Sequence, residues 1–192
     1  LSFDLDATLR WLKPQRRKVC PQPRGDEQLS WVNEASPAGG PLLLDTTVYI
    51  DLLRGTTPEE VDSLLQLRTC NHSAICLAEM THAFGRLDPA HAGTAQALKQ
   101  IRATISQDIP PHRLYAPGSD VWGSGGMLAG LMFRLRGYPK NRGHERKLLN
   151  DASLYIHARK LGCSVLTSNV EDFDILNQLV PSGRVIFYRR TT

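Results

Sequence analysis

Residues 41–55 read Pro-Leu-Leu-Leu-Asp-Thr-Thr-Val-Tyr-Ile-Asp-Leu-Leu-Arg-Gly, or PLLLDTTVYIDLLRG. Three consecutive leucines suit a short strand buried on both faces, as in a parallel sheet. From Thr46 onward the apolar residues fall at helical spacing, and Gly55 supplies a stop that tolerates left-handed backbone. Asp45 therefore stands between a strand and a helix. A carboxylate there is costly unless a hydrogen-bond donor or a cation meets it. Taken by itself, Asp45 reads as a helix N-cap. It also lies where open parallel sheets hold their ligands, beyond the carboxyl end of a strand.

Outward from this stretch the alternation of strand and helix continues. Thr57-Pro58-Glu59-Glu60 is predicted to form a capping box with proline at the first helical position. HSAIC (72–76) reads as a second strand and LAEMTHAFGRL (77–87) as a helix; Asp88-Pro89 is predicted to open a longer helix reaching Ser106. HRLYA (112–116) reads as a third strand, followed by a helix near Val121–Arg136 and a loop rich in glycine and base. LLNDASLYIHARKLG (148–162) is a helix with Gly162 just past its end, CSVLT (163–167) a fourth strand, 170–179 a short helix, and RVIFY (184–188) a fifth strand. Short apolar strands separated by helices indicate an α/β fold, a central parallel sheet of about five strands flanked by helices. Residues 1–40 read as an N-terminal extension and linker, with one short helix before Pro14 and a basic cluster at Arg16, Arg17 and Lys18. Residues 41–192 read as the domain. Trp11, Trp31 and Val32 suggest that part of the extension docks on the body.

The chain has 192 residues, 41% hydrophobic and 22% charged, with a formal charge of +4. That describes a globular domain with a mild leaning toward polyanionic partners. Cysteines stand at 20, 70, 76 and 163 without a CxxC pair, so buried reduced thiols and a cytoplasmic location are expected. Cys70, His72 and Cys76 lack a second cluster to complete a zinc site. The first ten residues carry acids and no apolar run, so no signal peptide is expected. No segment approaches the ~18 apolar residues that a membrane span requires.

The acids carry the chemistry. Asp45 ends the first strand, Glu79 follows the second, Asp151 is expected to open the helix before the fourth strand, and Asn169 and Asp172 follow that strand. Each alone reads as a capping or helix-dipole group. Together they fall near one edge of the sheet, where several carboxylates would repel one another or bind a hard cation. Oxygen ligands without a His/Cys set favour Mg²⁺ or Mn²⁺ over zinc.

LLLDTTVYIDLLRG resembles the opening of PIN-domain ribonucleases, and of VapC-type toxins in particular. SAICLAEMTHAFGRL is similar to the segment that brings the second acid, here Glu79. LLNDASLYIHARKLGCSVLTSNVEDFD resembles the closing segment, with Asp151 as third acid and Asn169 at the fourth position. The resemblance spans 41–188 in three ordered segments. It departs at Asn169, which stands where aspartate is usual, so Asp172 is expected to matter more. Nothing in the family pattern matches residues 1–40.

The resemblance implies a PIN-like three-layer fold and Mg²⁺- or Mn²⁺-dependent endonucleolytic hydrolysis of RNA. Asp45, Glu79 and Asp151 would hold the metal. Asn169, with Asp172, would orient water or the scissile phosphate, and Thr46, Thr47 and Thr167 would hold the carboxylates from behind. Arg136, Lys140, Arg142, Arg146 and Lys147, with Arg134, form a basic run leading to Asp151 that is expected to contact RNA phosphates. Trp122 and Tyr138 are aromatic residues able to stack on a base or to pack. The resemblance further implies a protein antitoxin as partner and a homodimer. A haloacid-dehalogenase-like phosphatase needs a second acid two residues after the first, where Thr47 stands. A DNA-directed nuclease and a catalytically silent PIN-like module that binds RNA or protein remain the alternatives.

Overall fold

A computed structural model describes residues 2–35, 38–139 and 143–191. Its strands are β1 (Leu42–Leu44), β2 (Cys70–Ser73), β3 (Leu114–Tyr115), β4 (Ser164–Thr167) and β5 (Arg184–Phe187). Its helices are α1 (Leu5–Leu12), α2 (Thr46–Arg54), α3 (Glu59–Leu67), α4 (Ala74–Arg86), α5 (Thr94–Gln107), α6 (Ser119–Arg136), α7 (His144–Leu161) and α8 (Val170–Leu179). All strand pairs are parallel, in the order β3-β2-β1-β4-β5. Register is set by Leu42 opposite both Cys70 and Ser164, and by Thr167 opposite Phe187.

This order has a physical consequence. The chain steps from β1 through β2 to β3 in one direction, then returns past β1 to β4 and β5. Right-handed crossovers put helices from the two directions on opposite faces. Accordingly α2, α4 and α5 touch one another, and so do α6, α7 and α8. Leu42, Leu43 and Leu44 are all buried at the centre, as three leucines in a strand covered twice must be. The reversal of strand order lies between β1 and its neighbours, where adjacent crossovers diverge and leave a crevice.

Local chemistry moved several boundaries. Ala74–Cys76 belong to α4, not to a strand. The Ser73 hydroxyl accepts from the Ile75 N–H at 3.2 Å and starts the helix there. A short apolar run has no periodicity to separate the two states. Pro58 occupies the N-cap of α3 and not its first turn, and the Thr57 hydroxyl donates to Asp62 Oδ1 at 3.1 Å, so no capping box forms. Asp88-Pro89 makes a turn: Asp88 Oδ1 accepts from Ala90 N–H, its carbonyl accepts from the Thr94 hydroxyl, and α5 starts only at Thr94. α7 begins earlier than expected, at His144, after Gly143 in left-handed backbone with φ +75°. Arg146 and Lys147 are thus helical, and Asp151 lies in the interior of α7, two turns from its start.

Helices α6 and α7 pack closely. A Cβ on Gly125 would stand 2.7 Å from the Ser153 Cα, so only glycine allows this approach. Residues near the N-terminus also pack on this body. Leu12, Leu29 and Val32 are buried in the same core, Arg24 pairs with Asp174 of α8 at 2.6 Å, and Trp31 forms a parallel bridge with Phe187. No helix among the described residues is long and apolar enough to cross a membrane.

Candidate functional site

The crevice at the switch in strand order is a cleft of about 730 Å³, whose lining includes Asp45, Glu79, Asn150, Asp151 and Asn169. Asp45 reaches it because β1 ends at Leu44 and α2 starts at Thr46. It stands at the N-cap position, yet its side chain does more than cap. One oxygen accepts from the Thr46 N–H at 2.7 Å; the other accepts the hydroxyls of Thr47 and Thr167, each at 2.7 Å. Thr167 ends β4, so the parallel register brings this hydroxyl across to β1. Burial pushes the Asp45 carboxyl above its ordinary range, the two hydroxyls pull it back, and Glu79 adds to the rise.

Glu79 comes from the second turn of α4. Thr46 donates its hydroxyl to Glu79 Oε2, and the Asn150 amide donates to Oε1 at 2.7 Å. Asp151 arrives from α7, buried at 7% exposure. Its carboxyl is pushed well above the usual range by burial first, then by Asp45, Asp172 and Glu79, against the opposing pull of Lys147. The Asn169 amide, at the N-cap of α8, donates to Asp151 Oδ2 and to Asp172 Oδ2, each at 3.1 Å.

The basic residues divide. Lys147 donates to Asp172 Oδ2 at 2.5 Å and lies 3.9 Å from Asp151 Oδ2. Burial works against its charge, but the bond to Asp172 and the neighbouring carboxylates hold its pKa above the ordinary value. Arg136 bonds Glu171 at 2.7 Å and meets Asp172 at 3.4 Å, so its guanidinium buttresses an acid behind the cleft. Arg134 turns to the carbonyls of Pro14 and Arg17 at 2.8 and 2.9 Å, away from the site. Arg146 is exposed and lines the cleft. Lys140 and Arg142 lie outside the described residues. Trp122 is 41% exposed and lines the cleft, while Tyr138 stacks on His144 with ring centres 4.6 Å apart.

Reading the sequence missed two supports. Asn150 holds Glu79, and its adjacency to Asp151 on a helix was the available signal. Asp51, fully buried, accepts the hydroxyls of Ser168 at 2.9 Å and Tyr188 at 2.8 Å and pairs with Arg190 at 2.8 Å, which braces the turn carrying Asn169. No sequence signal linked Asp51 to residues over a hundred positions away.

Chemically, the cleft offers oxygen donors and uncompensated negative charge. Asp45 and Glu79 have no ion pair among the described residues, and Asp151 has one long contact to Lys147. The nearest thiol, Cys76, is no nucleophile: burial first, then Asp45, pushes its pKa well up, and Sγ points to the Leu44 carbonyl at 3.4 Å. Among the described residues, no three acid, histidine or cysteine side chains already converge as a cation cage. Their oxygens are turned instead to the hydroxyls and amides above. The donor set still fits a hard divalent cation, because oxygen ligands suit it and it would offset the repulsion at Asp151.

Solved structures share this architecture. VapBC2 from Rickettsia felis, bound to a DNA fragment from its promoter, matches with a TM-score of 0.53 at 13% identity, covering 78% of this chain and 99% of the other. The fold is PIN-like. FitAcB from Neisseria gonorrhoeae gives 0.52 at 18% identity over 77% of this chain and 96% of its own. DNA-bound VapBC from Salmonella typhimurium gives 0.51 at 19% over 77% and 97%. Neither a protein-family model nor a curated protein sequence matches the chain. At these identities the likeness is one of fold, and the cleft is characterised by its own residues.

Proposed function

We propose that the protein is a Mg²⁺- or Mn²⁺-dependent endoribonuclease, the toxin of a VapBC-like pair. The observation that carries this reading is the meeting of Asp45, Glu79, Asp151 and Asn169 along one cleft at the switch in strand order, drawn from four separate segments of chain. Asp45, Glu79 and Asp151 would hold the cation. When bound, a divalent cation supplies Lewis-acid activation of water and neutralises charge on the phosphate. Thr47 and Thr167 fix the Asp45 carboxylate, Thr46 and Asn150 fix Glu79, and Asn169 orients Asp151. Hydrogen-bond donors behind the carboxylates preserve the geometry in which they would meet a cation. Arg146 binds the phosphate backbone on approach, with Arg136 and Lys147 holding Asp172 in place. The relatives in fold are solved as VapBC structures, which supports an antitoxin as partner; a homodimer of this chain belongs to the same proposal.

The test is incubation of the protein with a pool of total RNA, with and without Mg²⁺, followed by mapping of new ends. Metal-dependent cleavage that disappears in Asp45→Asn and Asp151→Asn is the expected result. Cleavage that survives either change, or that ignores chelation, refutes the reading. A second reading, a silent module that binds RNA without cutting, is favoured by the Asn169 amide lying between two carboxylates. Its signature is retained RNA binding with intact strands.

A further inference from the structure

The basic residue nearest the acids is not placed as a simple phosphate contact. Lys147 lies one helical turn before Asp151 on α7, and its ammonium bonds Asp172 Oδ2 at 2.5 Å while standing 3.9 Å from Asp151 Oδ2. These are the two oxygens that the Asn169 amide also bridges, at 3.1 Å each. One side-chain ammonium and one amide thus hold together a buried carboxylate of the candidate metal site and the buried carboxylate behind it.

We propose that Lys147 is a tethered counter-cation: it neutralises Asp151 and Asp172 in the metal-free protein, and a divalent cation must displace it in order to be held. The proposal rests on the reading of the cleft as a metal site. Three features suit Lys147 to this role. Its side chain is 57% exposed, so the ammonium can leave for solvent with little loss of packing. Lysine carries a compact charge on a flexible stem, in contrast to the fixed fork of arginine. Asp172 would not be orphaned when Lys147 departs, because Arg136 also meets it at 3.4 Å and is itself held by Glu171 at 2.7 Å. Arg136 is 13% exposed at its side chain and cannot be the mobile partner.

The consequence is an exchange of charges. Metal entry frees Lys147 at the mouth of a cleft whose occupant would be a polyanion, so loading the metal and presenting a phosphate contact become one event. A cation a few ångströms from the site competes with metal by direct repulsion, and removing one unit charge there is worth about tenfold in affinity.

The experiment is a calorimetric titration of the full chain with Mn²⁺. Lys147→Met is expected to bind Mn²⁺ about tenfold more tightly than wild type, and Lys147→Arg no more tightly than wild type. In the wild-type protein, added Mg²⁺ is expected to move the Lys147 side-chain Cε resonance to the position of a free lysine. This second readout serves even if the methionine variant folds poorly. Wild-type uptake that is lost in Asp151→Asn but unchanged or weaker in a folded Lys147→Met overturns the counter-cation and leaves the metal site standing. A Cε resonance indifferent to Mg²⁺, while uptake proceeds, does the same. No uptake of Mn²⁺ by wild type overturns both.

Discussion

Replacing Thr167 with valine probes how Asp45 is held. The Thr167 hydroxyl is fully buried, donates to Asp45 Oδ2 at 2.7 Å and accepts from the Asn169 N–H at 2.9 Å. Valine keeps the shape but removes a hydrogen bond to a charged group and orphans a backbone amide. The first loss costs about 1.5–3 kcal/mol and the second about 1–3 kcal/mol, so a total near 3 kcal/mol is expected after local relaxation. For a chain of this size that lowers the melting temperature by roughly 6–12 °C. Urea unfolding in chelator measures it, with Thr167→Ser as the variant that restores the hydroxyl. The defect should also depend on pH. Burial already holds the native Asp45 carboxyl above its ordinary 3.8, so the native state keeps a proton that the unfolded chain has released. The contribution of Asp45 to stability is therefore greatest below that value and is lost as pH rises through the raised native one. Losing a donor raises the native value further, so the deficit is larger at a pH well above 3.8 than at one below it. A loss under about 1 kcal/mol, or one of equal size at both pH values, would refute the account of Asp45 as a carboxylate held by hydroxyls.

Other expectations follow from the same geometry. Asp151→Asn should raise the melting temperature in chelator, because it removes a buried charge facing Asp45, Asp172 and Glu79, while abolishing Mn²⁺ uptake; scanning calorimetry with and without Mn²⁺ checks both. Gly125→Ala should cost about 1–3 kcal/mol, measured by denaturant unfolding, since the new methyl would press on the Ser153 backbone. His72 and His157 are buried, with pKa values lowered to about 4 by burial and then by Arg113 and Lys160 respectively. The unfolded chain takes up protons near pH 6.5 that the native histidines refuse, so stability falls as pH drops from about 6.5 to 4, by up to about 3 kcal/mol for each. The raised carboxyls of Asp45 and Asp151 act in the opposite sense, so the double variant His72→Gln/His157→Gln should show a flatter or inverted pH profile in urea titrations.

How much of this was legible depends on the range of the interactions. The fold was readable where a residue's own neighbours decide its state: three leucines with no polar break make β1, and Gly55 and Gly162 end α2 and α7 in left-handed backbone. It was not readable at Ala74–Cys76, where both states bury the same apolar side chains and a serine cap chose the helix. The start of α7 was hidden because Gly143 favours a loop in isolation. For the site, the acids could be picked out from their placement after strands and from the matching segments. Their supports could not. Thr167 meets Asp45 through the β1–β4 register, and Asn150 meets Glu79 through the packing of α7 near α4. Lys147 was visible as a base near Asp151, but its pairing with Asp172 needed two helices brought side by side.

The bridge between Trp31 and Phe187 bears on how copies of the protein treat one another. Amide rows left open along a sheet's margin template the addition of foreign strands. Here the Phe187 N–H already donates to the Ser30 carbonyl at 2.9 Å, and at the opposite margin β3 is only two residues long. Among the described residues, the segment before β1 therefore occupies the Phe187 end of the β5 edge, and a strand as short as β3 offers an incoming chain few groups to pair with.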